Sequence, residues 1–307
     1  MSSDASFFTL PGSGRKIAYS LSYPTEPSRP TILLSNSLSS QYHFWDHIVD
    51  ELHSAGFRVL RYDHPGHGDS GVPSDLNSTT FGSLAEDVHA LLTSPDLAPA
   101  FTGKHSPNEG FTPALHAWIG VSMGAALGVV FSTKYPGIVQ RLVICDTIAC
   151  SPKNAGVPDA FGPRVQAARE HGSMEKAVAE TMDRWFGAEW IKANPDEASR
   201  LKALMDRTTV DGFETCVAAL RSDSFDIRPL FGKVGTSVEK VLLVVGEKDA
   251  DLPEKMEIMR AEIEKGFPGG KKIELKVVKN AGHVVFIDGK EEFIQVVLPF
   301  LSDRVKA

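Results

Sequence analysis

A chain of 307 residues is longer than a usual single domain, yet one α/β core carrying an insertion reaches this length, so a core plus a lid is favoured over two equal domains. Its 42% hydrophobic and 23% charged residues supply ample material for a large core and exclude a disordered chain. A net charge of -7, with no run of Lys and Arg interleaved with aromatics, excludes a nucleic-acid-binding face.

In chain order, Met1 to Leu10 has neither the basic flank nor the apolar stretch of a signal peptide, and no later window approaches a transmembrane helix. Thr31 to Leu34 is the first of several short, nearly continuous apolar runs, the pattern of strands buried on both faces of a parallel sheet. Trp45 to Ala55 follows as a helix with Trp45, Ile48, Val49 and Leu52 on one stripe and Gly56 at the C-cap. Phe57 to Tyr62 reads as a strand and Phe81 to Leu92 as a helix. Residues 95 to 113 carry Pro95, Pro99, Gly103, Pro107, Gly110 and Pro113 and read as a surface loop.

Leu115 to Val121 and Arg141 to Cys145 are again strands, with a helix over Met123 to Lys134 between them. Residues 150 to 235 break the rhythm, with helical stretches around Arg164 to Glu170, Met174 to Trp185 and Ala198 to Met205 and no convincing strand. Val241 to Val245 resumes it, followed by the strand-like Lys272 to Val278 and a final helix over Phe293 to Leu301. This alternation implies an α/β fold with a doubly wound, mostly parallel sheet. Its core is expected over 1–149 and 236–307, with a helical cap over 150–235.

The three cysteines, Cys145, Cys150 and Cys216, show no metal or redox spacing and fit buried thiols in a reducing compartment. The C-terminal Val305-Lys306-Ala307 is not the peroxisomal Ser-Lys-Leu signal. A cytoplasmic chain that acts on a small molecule, with no nucleic-acid or membrane partner, is therefore expected.

The chemistry centres on Gly120-Val121-Ser122-Met123-Gly124, between an apolar strand and a helix rich in Ala and Gly. Flanking glycines permit a strained strand-to-helix turn that presents a serine hydroxyl above a sheet, the nucleophile elbow. As a bare pattern it is weak, expected roughly 0.2 times by chance in such a chain; the flanking strand and helix strengthen it. A serine needs a base within hydrogen-bond reach. The chain order serine, acid, histidine leaves His283, in Asn280-Ala281-Gly282-His283, as the base, since it alone lies beyond the last acidic turn. The acid should follow a late strand, where Gly246-Glu247-Lys248-Asp249-Ala250-Asp251-Leu252-Pro253 offers three carboxylates; Asp146, ending the earlier strand, competes. Two backbone donors for a developing oxyanion are expected from Met123 and from the turn Ser35-Asn36-Ser37-Leu38-Ser39-Ser40, where Leu38 stands in the expected place.

Ser35-Asn36-Ser37-Leu38 with Trp45-Asp46, Leu60-Arg61-Tyr62-Asp63 with Gly66-His67-Gly68-Asp69-Ser70, Ser122-Met123-Gly124, and Asp183-Arg184-Trp185-Phe186 together resemble the 3-oxoadipate enol-lactonase group of α/β-hydrolases. The resemblance runs from about residue 15 to residue 303, and Asn36-Ser37 is its most telling part, because most relatives carry a His-Gly pair there. It implies Leu38 and Met123 as oxyanion donors, Asp249 as the acid and His283 as the base, with Gly66 to Ser70 a structural turn bordering the site. Pro65, Ser39, Ala125 and the 95–113 segment depart from the group's pattern without removing a catalytic group.

The reading is a hydrolase of a small, acidic lactone or ester working through an acyl-enzyme, with no metal or organic cofactor. Arg184 and Trp185 of the cap are candidate substrate contacts, a cation for a carboxylate and an aromatic wall, against the plainer role of packing cap onto core. Two other functions remain open at this point: a hydrolase of a C–C bond in a diketone using the same triad, and a catalytically silent binding module.

Overall fold

The computed structural model describes residues 5–23, 25–101, 103–106 and 110–303, with the backbone alone for 104–106, 110 and 111. Its main sheet has eight strands: β1 (Ser6–Thr9), β2 (Lys16–Leu21), β3 (Thr31–Ser35), β4 (Arg58–Tyr62), β7 (Leu115–Val121), β8 (Val139–Cys145), β9 (Lys240–Gly246) and β10 (Glu274–Val278). Their spatial order is β1-β2-β4-β3-β7-β8-β9-β10, and every neighbouring pair from β4 to β10 is parallel while β2 runs antiparallel to both its neighbours. The central strands β3 and β4 are buried at every residue, as continuous apolar runs require when helices cover both faces.

Those helices are α1 (Asp46–Ser54), α2 (Phe81–Leu92), α3 (Met123–Lys134), α9 (Phe231–Ser237), α10 (Leu252–Lys265), the short α11 (Val285–Asp288) and α12 (Lys290–Ser302). Thr80 caps α2 by accepting from the Ser83 N–H while the Ser83 hydroxyl returns a bond to the Thr80 N–H. α3 packs centrally, and Trp118 of β7 donates its indole N–H to the Gly124 carbonyl at 3.0 Å. Between β8 and β9 lie α4 (Pro152–Ala155), α5 (Gly162–His171), α6 (Glu175–Ala193), α7 (Pro195–Met205) and α8 (Val210–Arg221). α7 of this insertion packs on the turn Tyr42–Trp45 of the core.

Residues 95 to 113 are not a plain surface loop. They contain a two-stranded antiparallel hairpin of β5 (Gly103–Ser106) and β6 (Gly110–Pro113), separate from the main sheet; residues 102 and 107–109 lie outside the described residues. Gly and Pro, strong turn signals, masked a pairing that backbone hydrogen bonds alone can make. The three cysteines are free and buried. Among the described residues no helix is long and apolar enough to cross a membrane.

Candidate active site

β7 ends at Val121 and α3 begins at Met123, so Ser122 occupies the whole turn, with φ 53° and ψ -118°. Such a backbone is costly for a side-chain-bearing residue and persists only where its surroundings impose it. Two contacts do so. The Ser122 N–H donates to the Cys145 carbonyl at 2.8 Å, and the two glycines let backbones nearly touch. A Cβ on Gly120 would lie 2.2 Å from the Gly124 oxygen, and one on Gly124 would lie 2.3 Å from the Ser35 oxygen.

His283 follows β10 in a turn held from several sides. Asp288 accepts the Gly282 N–H at 2.6 Å, and Glu247 accepts the Asn280 N–H at 3.0 Å. Burial pushes the Asp288 carboxyl up to about 6. The His283 N–H donates to the Trp185 carbonyl of α6 at 3.3 Å, which couples the insertion to this turn. His283 Nδ1 is 2.6 Å from Asp249 Oδ2, both side chains being buried. The Nδ1–H then faces the carboxylate and leaves Nε2 free to act as a base.

Asp146 stands differently. It is buried at φ 45°; its Oδ1 accepts the Gly246 N–H at 2.8 Å, and Oδ2 has no partner among the described residues. Burial, reinforced by the nearby Asp249 charge, drives its carboxyl well above the usual range, and its bond to Gly246 braces the end of β9. Asp251 pairs with Lys255 at 2.7 Å and Glu247 with Lys279 at 2.7 Å, both at exposed positions. Of the carboxylates weighed from the sequence, Asp249 alone meets the imidazole.

The turn after β3 is fixed by side chains that the sequence marks only as a motif. Asn36 accepts from the Trp45 indole N–H at 2.9 Å and donates to the Tyr62 carbonyl at 2.7 Å, while His64 Nε2 donates to the Asn36 carbonyl at 2.9 Å. His67 Nδ1 donates to the Pro65 carbonyl at 2.9 Å, so its Nε2 accepts the Ser39 N–H, also at 2.9 Å. Ser39 itself has φ 65° and needs that support. Burial lowers His64 to about 4 and His67 to about 3, which keeps both rings neutral and this hydrogen-bond pattern intact near neutrality. These two histidines serve the loop that carries Leu38, a role spacing alone does not reveal.

Ser37, Leu38, Ser122, Met123, Asp249 and His283 line one cavity of about 190 Å³, closed on the insertion's side by Phe161, Arg164, Thr181, Arg184, Trp185 and Leu220. Ser122 and His283 share it without a direct hydrogen bond. Trp185 is 2% exposed, so it is packed as well as cavity-lining, and its indole N–H, like the Ser37 hydroxyl, finds no partner among the described residues. Phe186 points its packing elsewhere and stacks on Trp190 at 4.6 Å. Arg184 is an exposed residue that nevertheless contributes to the wall; crowding lowers its guanidinium, and Asp249 partly offsets this.

Arg164, not singled out from the sequence, is half-buried beside it. Burial and then the like charge of Arg184 lower it to about 10, and its hydrogen-bond acceptor is the Thr181 hydroxyl. Neither arginine has a carboxylate within ion-pair distance among the described residues. Two arginines without carboxylate partners therefore line a cavity that can receive an anionic molecule.

A strained serine at a strand-to-helix turn, on a parallel sheet whose later loops bring an aspartate and a histidine together, defines the hydrolase class of this architecture. The chain belongs to the alpha/beta hydrolase family, whose model matches residues 28–296. It is 26% identical over 232 residues to 3-oxoadipate enol-lactonase 2 of Acinetobacter baylyi, covering 75% of this chain and 76% of that protein. A relative from Agrobacterium fabrum, provisionally named the carbamate hydrolase RutD, is 25% identical over 90% of this chain and 95% of its own length. Among solved structures, the enol-lactonase from Burkholderia xenovorans LB400 superposes with a TM-score of 0.77 over 97% of this chain and 100% of that one, at 24% identity.

Proposed function

We propose that the protein is a serine hydrolase that opens a small acidic lactone or ester through an acyl-enzyme. Ser122 attacks the carbonyl carbon and passes its proton to Nε2 of His283; Asp249 holds the imidazole tautomer and stabilises the imidazolium; the N–H groups of Met123 and Leu38 receive the oxyanion. His283 then delivers that proton to the leaving oxygen and activates the water that frees the acid. The Ser122–His283 hydrogen bond forms as substrate enters, since such contacts often tighten only in the substrate complex. In this reading residues 150–235 act as a cap over a cytoplasmic enzyme's site, with Arg164 and Arg184 anchoring a substrate carboxylate and Trp185 walling the pocket.

The observation that carries this is the meeting, in one cavity, of an elbow serine, an aspartate-bonded histidine and two arginines that lack carboxylate partners. The names of the enol-lactonase relatives point to the same class of substrate. An enol-lactone bearing a carboxylate is expected to exceed its methyl ester in kcat/KM by roughly a hundred-fold, on the order of 3 kcal/mol, because the neutral analogue leaves the guanidinium unpaired. Arg164→Met should shrink that ratio at least ten-fold, chiefly through KM. Equal or faster hydrolysis of the neutral ester by the wild type rejects the acidic substrate. Turnover of a ring-fission diketone but of no ester or lactone would transfer the triad to C–C cleavage, and failure of a serine-directed phosphonate to label Ser122 would leave a binding module.

His67 supplies a separate test of the Leu38 donor. His67→Phe strands the buried Ser39 N–H, leaves the Pro65 carbonyl with only the Cys216 thiol, and releases the turn. Removal of an oxyanion donor costs about a hundred- to thousand-fold, so a displaced one should cost roughly ten- to a hundred-fold in kcat with little change in KM. His67→Gln, whose carbonyl can still accept from Ser39, should recover part of the loss. A change confined to KM would show that the loop positions substrate instead.

A further inference from the structure

Beside the catalytic cavity lies a larger space. A groove of about 640 Å³ runs between the start of the insertion and α10, and it shares Thr147, Ile148 and Phe161 with the cavity. Its remaining surface is mostly apolar. Among the described residues the two most exposed large hydrophobic side chains, Ile258 at 59% and Val157 at 55%, both stand on this groove. Its charged groups are already committed: Arg228 to Asp226 at 2.6 Å, Lys255 to Asp251 at 2.7 Å and Glu262 to Lys265 at 2.5 Å. The wall at Phe161 is built to hold its shape, since Asp159 accepts the N–H groups of Phe161 at 2.9 Å and Gly162 at 3.1 Å while pairing with Arg221 at 2.6 Å.

A cavity of 190 Å³ is smaller than the roughly 300–1,000 Å³ of ordinary small-molecule sites, whereas the groove falls within that range. We propose that the groove is a second subsite of the same active centre, and that it takes an apolar chain carried by the substrate, with Ile148 and Phe161 as the threshold between reacting end and chain. This rests on the hydrolase reading above and adds to it: the substrate has a polar end at the arginines and a hydrocarbon arm leaving toward α10. The lining residues shared with the cavity favour a chain of the substrate over a second protein copy, because an arm leaving the reacting end meets Ile148 and Phe161 first.

The test uses p-nitrophenyl esters with acyl chains from two to eight carbons, and monoalkyl succinates with alcohol chains over the same range. The two series distinguish an acyl from an alcohol chain in the groove. Each buried methylene contributes a few-fold at most, so kcat/KM is expected to climb roughly ten-fold or more from the shortest to the longest member of one series. Ala160→Trp fills the groove from an exposed position outside the cavity. It should remove most of that gain while leaving the acetate ester within about two-fold of wild type. Ile258→Glu, which sets a charge on the lip, should act in the same direction.

A flat profile in both series, with acetate still hydrolysed, overturns the subsite and leaves the hydrolase intact. Dissociation of a dimer by Ala160→Trp, without any chain-length effect, assigns the groove to a second copy and also overturns it. If no ester or lactone is turned over the hydrolase reading fails by itself. Calorimetric binding of octanoate to Ser122→Ala, and its loss on adding Ala160→Trp, then decides the groove without turnover.

Discussion

Ser122→Ala is expected to lower turnover about a million-fold, the scale on which a serine hydrolase loses its nucleophile, while the folded state is unchanged. The stability side of this follows from the site's geometry. The backbone turn at Ser122 is imposed by the close approach of Gly124 to Ser35 and by the hydrogen bond to Cys145, neither of which uses the hydroxyl. Ala meets a similar steric cost at φ 53° and loses no hydrogen bond, because Ser122 Oγ makes none among the described residues. Denaturant midpoints of the two proteins should therefore agree within about 0.5 kcal/mol. Retention of more than a few per cent of activity by well-folded protein would remove Ser122 from the mechanism.

The parallel centre of the fold is legible in the chain because burial on both faces demands continuous apolar runs. Leu115–Val121, Phe81–Leu92 and Met123–Lys134 stand where periodicity places them. The edges are less so. Phe7 is exposed and β1 shows only Phe8 to the core, so Ser6–Thr9 carries little alternation to read. β2 and the hairpin β5–β6 are likewise defined by their pairing with other segments. In the insertion, α6 extends to Ala193 through a kink at Gly187, φ 75°, past the stretch that periodicity marks as ending near Trp185.

For the site, residue type and order locate Ser122 and His283, because few alternatives survive the chain-order rule. Arg164 is invisible by the same logic. Its significance comes from lying beside Arg184 of the neighbouring helix, and an arginine on a helix of mixed polarity is ordinarily solvated. His64 and His67 are likewise anonymous until the backbone of Ser39 and Asn36 is seen between them. Trp185 illustrates why contact and packing are poor alternatives: it is fully packed, edge-on to Phe44 at 6.3 Å, and still presents a wall to the cavity.

Asp249→Asn should lower kcat by roughly ten-thousand-fold, as the equivalent change does in the type-case triad, whereas Asp146→Asn should cost less than ten-fold. The difference arises from what each carboxyl bonds. Asp249 Oδ2 accepts from Nδ1–H of His283 at 2.6 Å; an amide can turn its NH₂ toward that nitrogen, favour the opposite tautomer and place the proton on Nε2, where the base is needed. Asp146 makes no hydrogen bond with the imidazole among the described residues, and its Oδ1 accepts the Gly246 N–H, a bond that the asparagine carbonyl reproduces. What Asp146→Asn changes is an amide NH₂ in place of a buried, unpartnered Oδ2, which costs stability on the order of 1–3 kcal/mol and not chemistry. Asp146→Asn leaves the His283–Asp249 contact in place, so its pH profile should overlay the wild type. Matched kinetics in which Asp146→Asn is the more damaged variant would transfer the acid to the end of β8 and break the assignment made from the 2.6 Å contact.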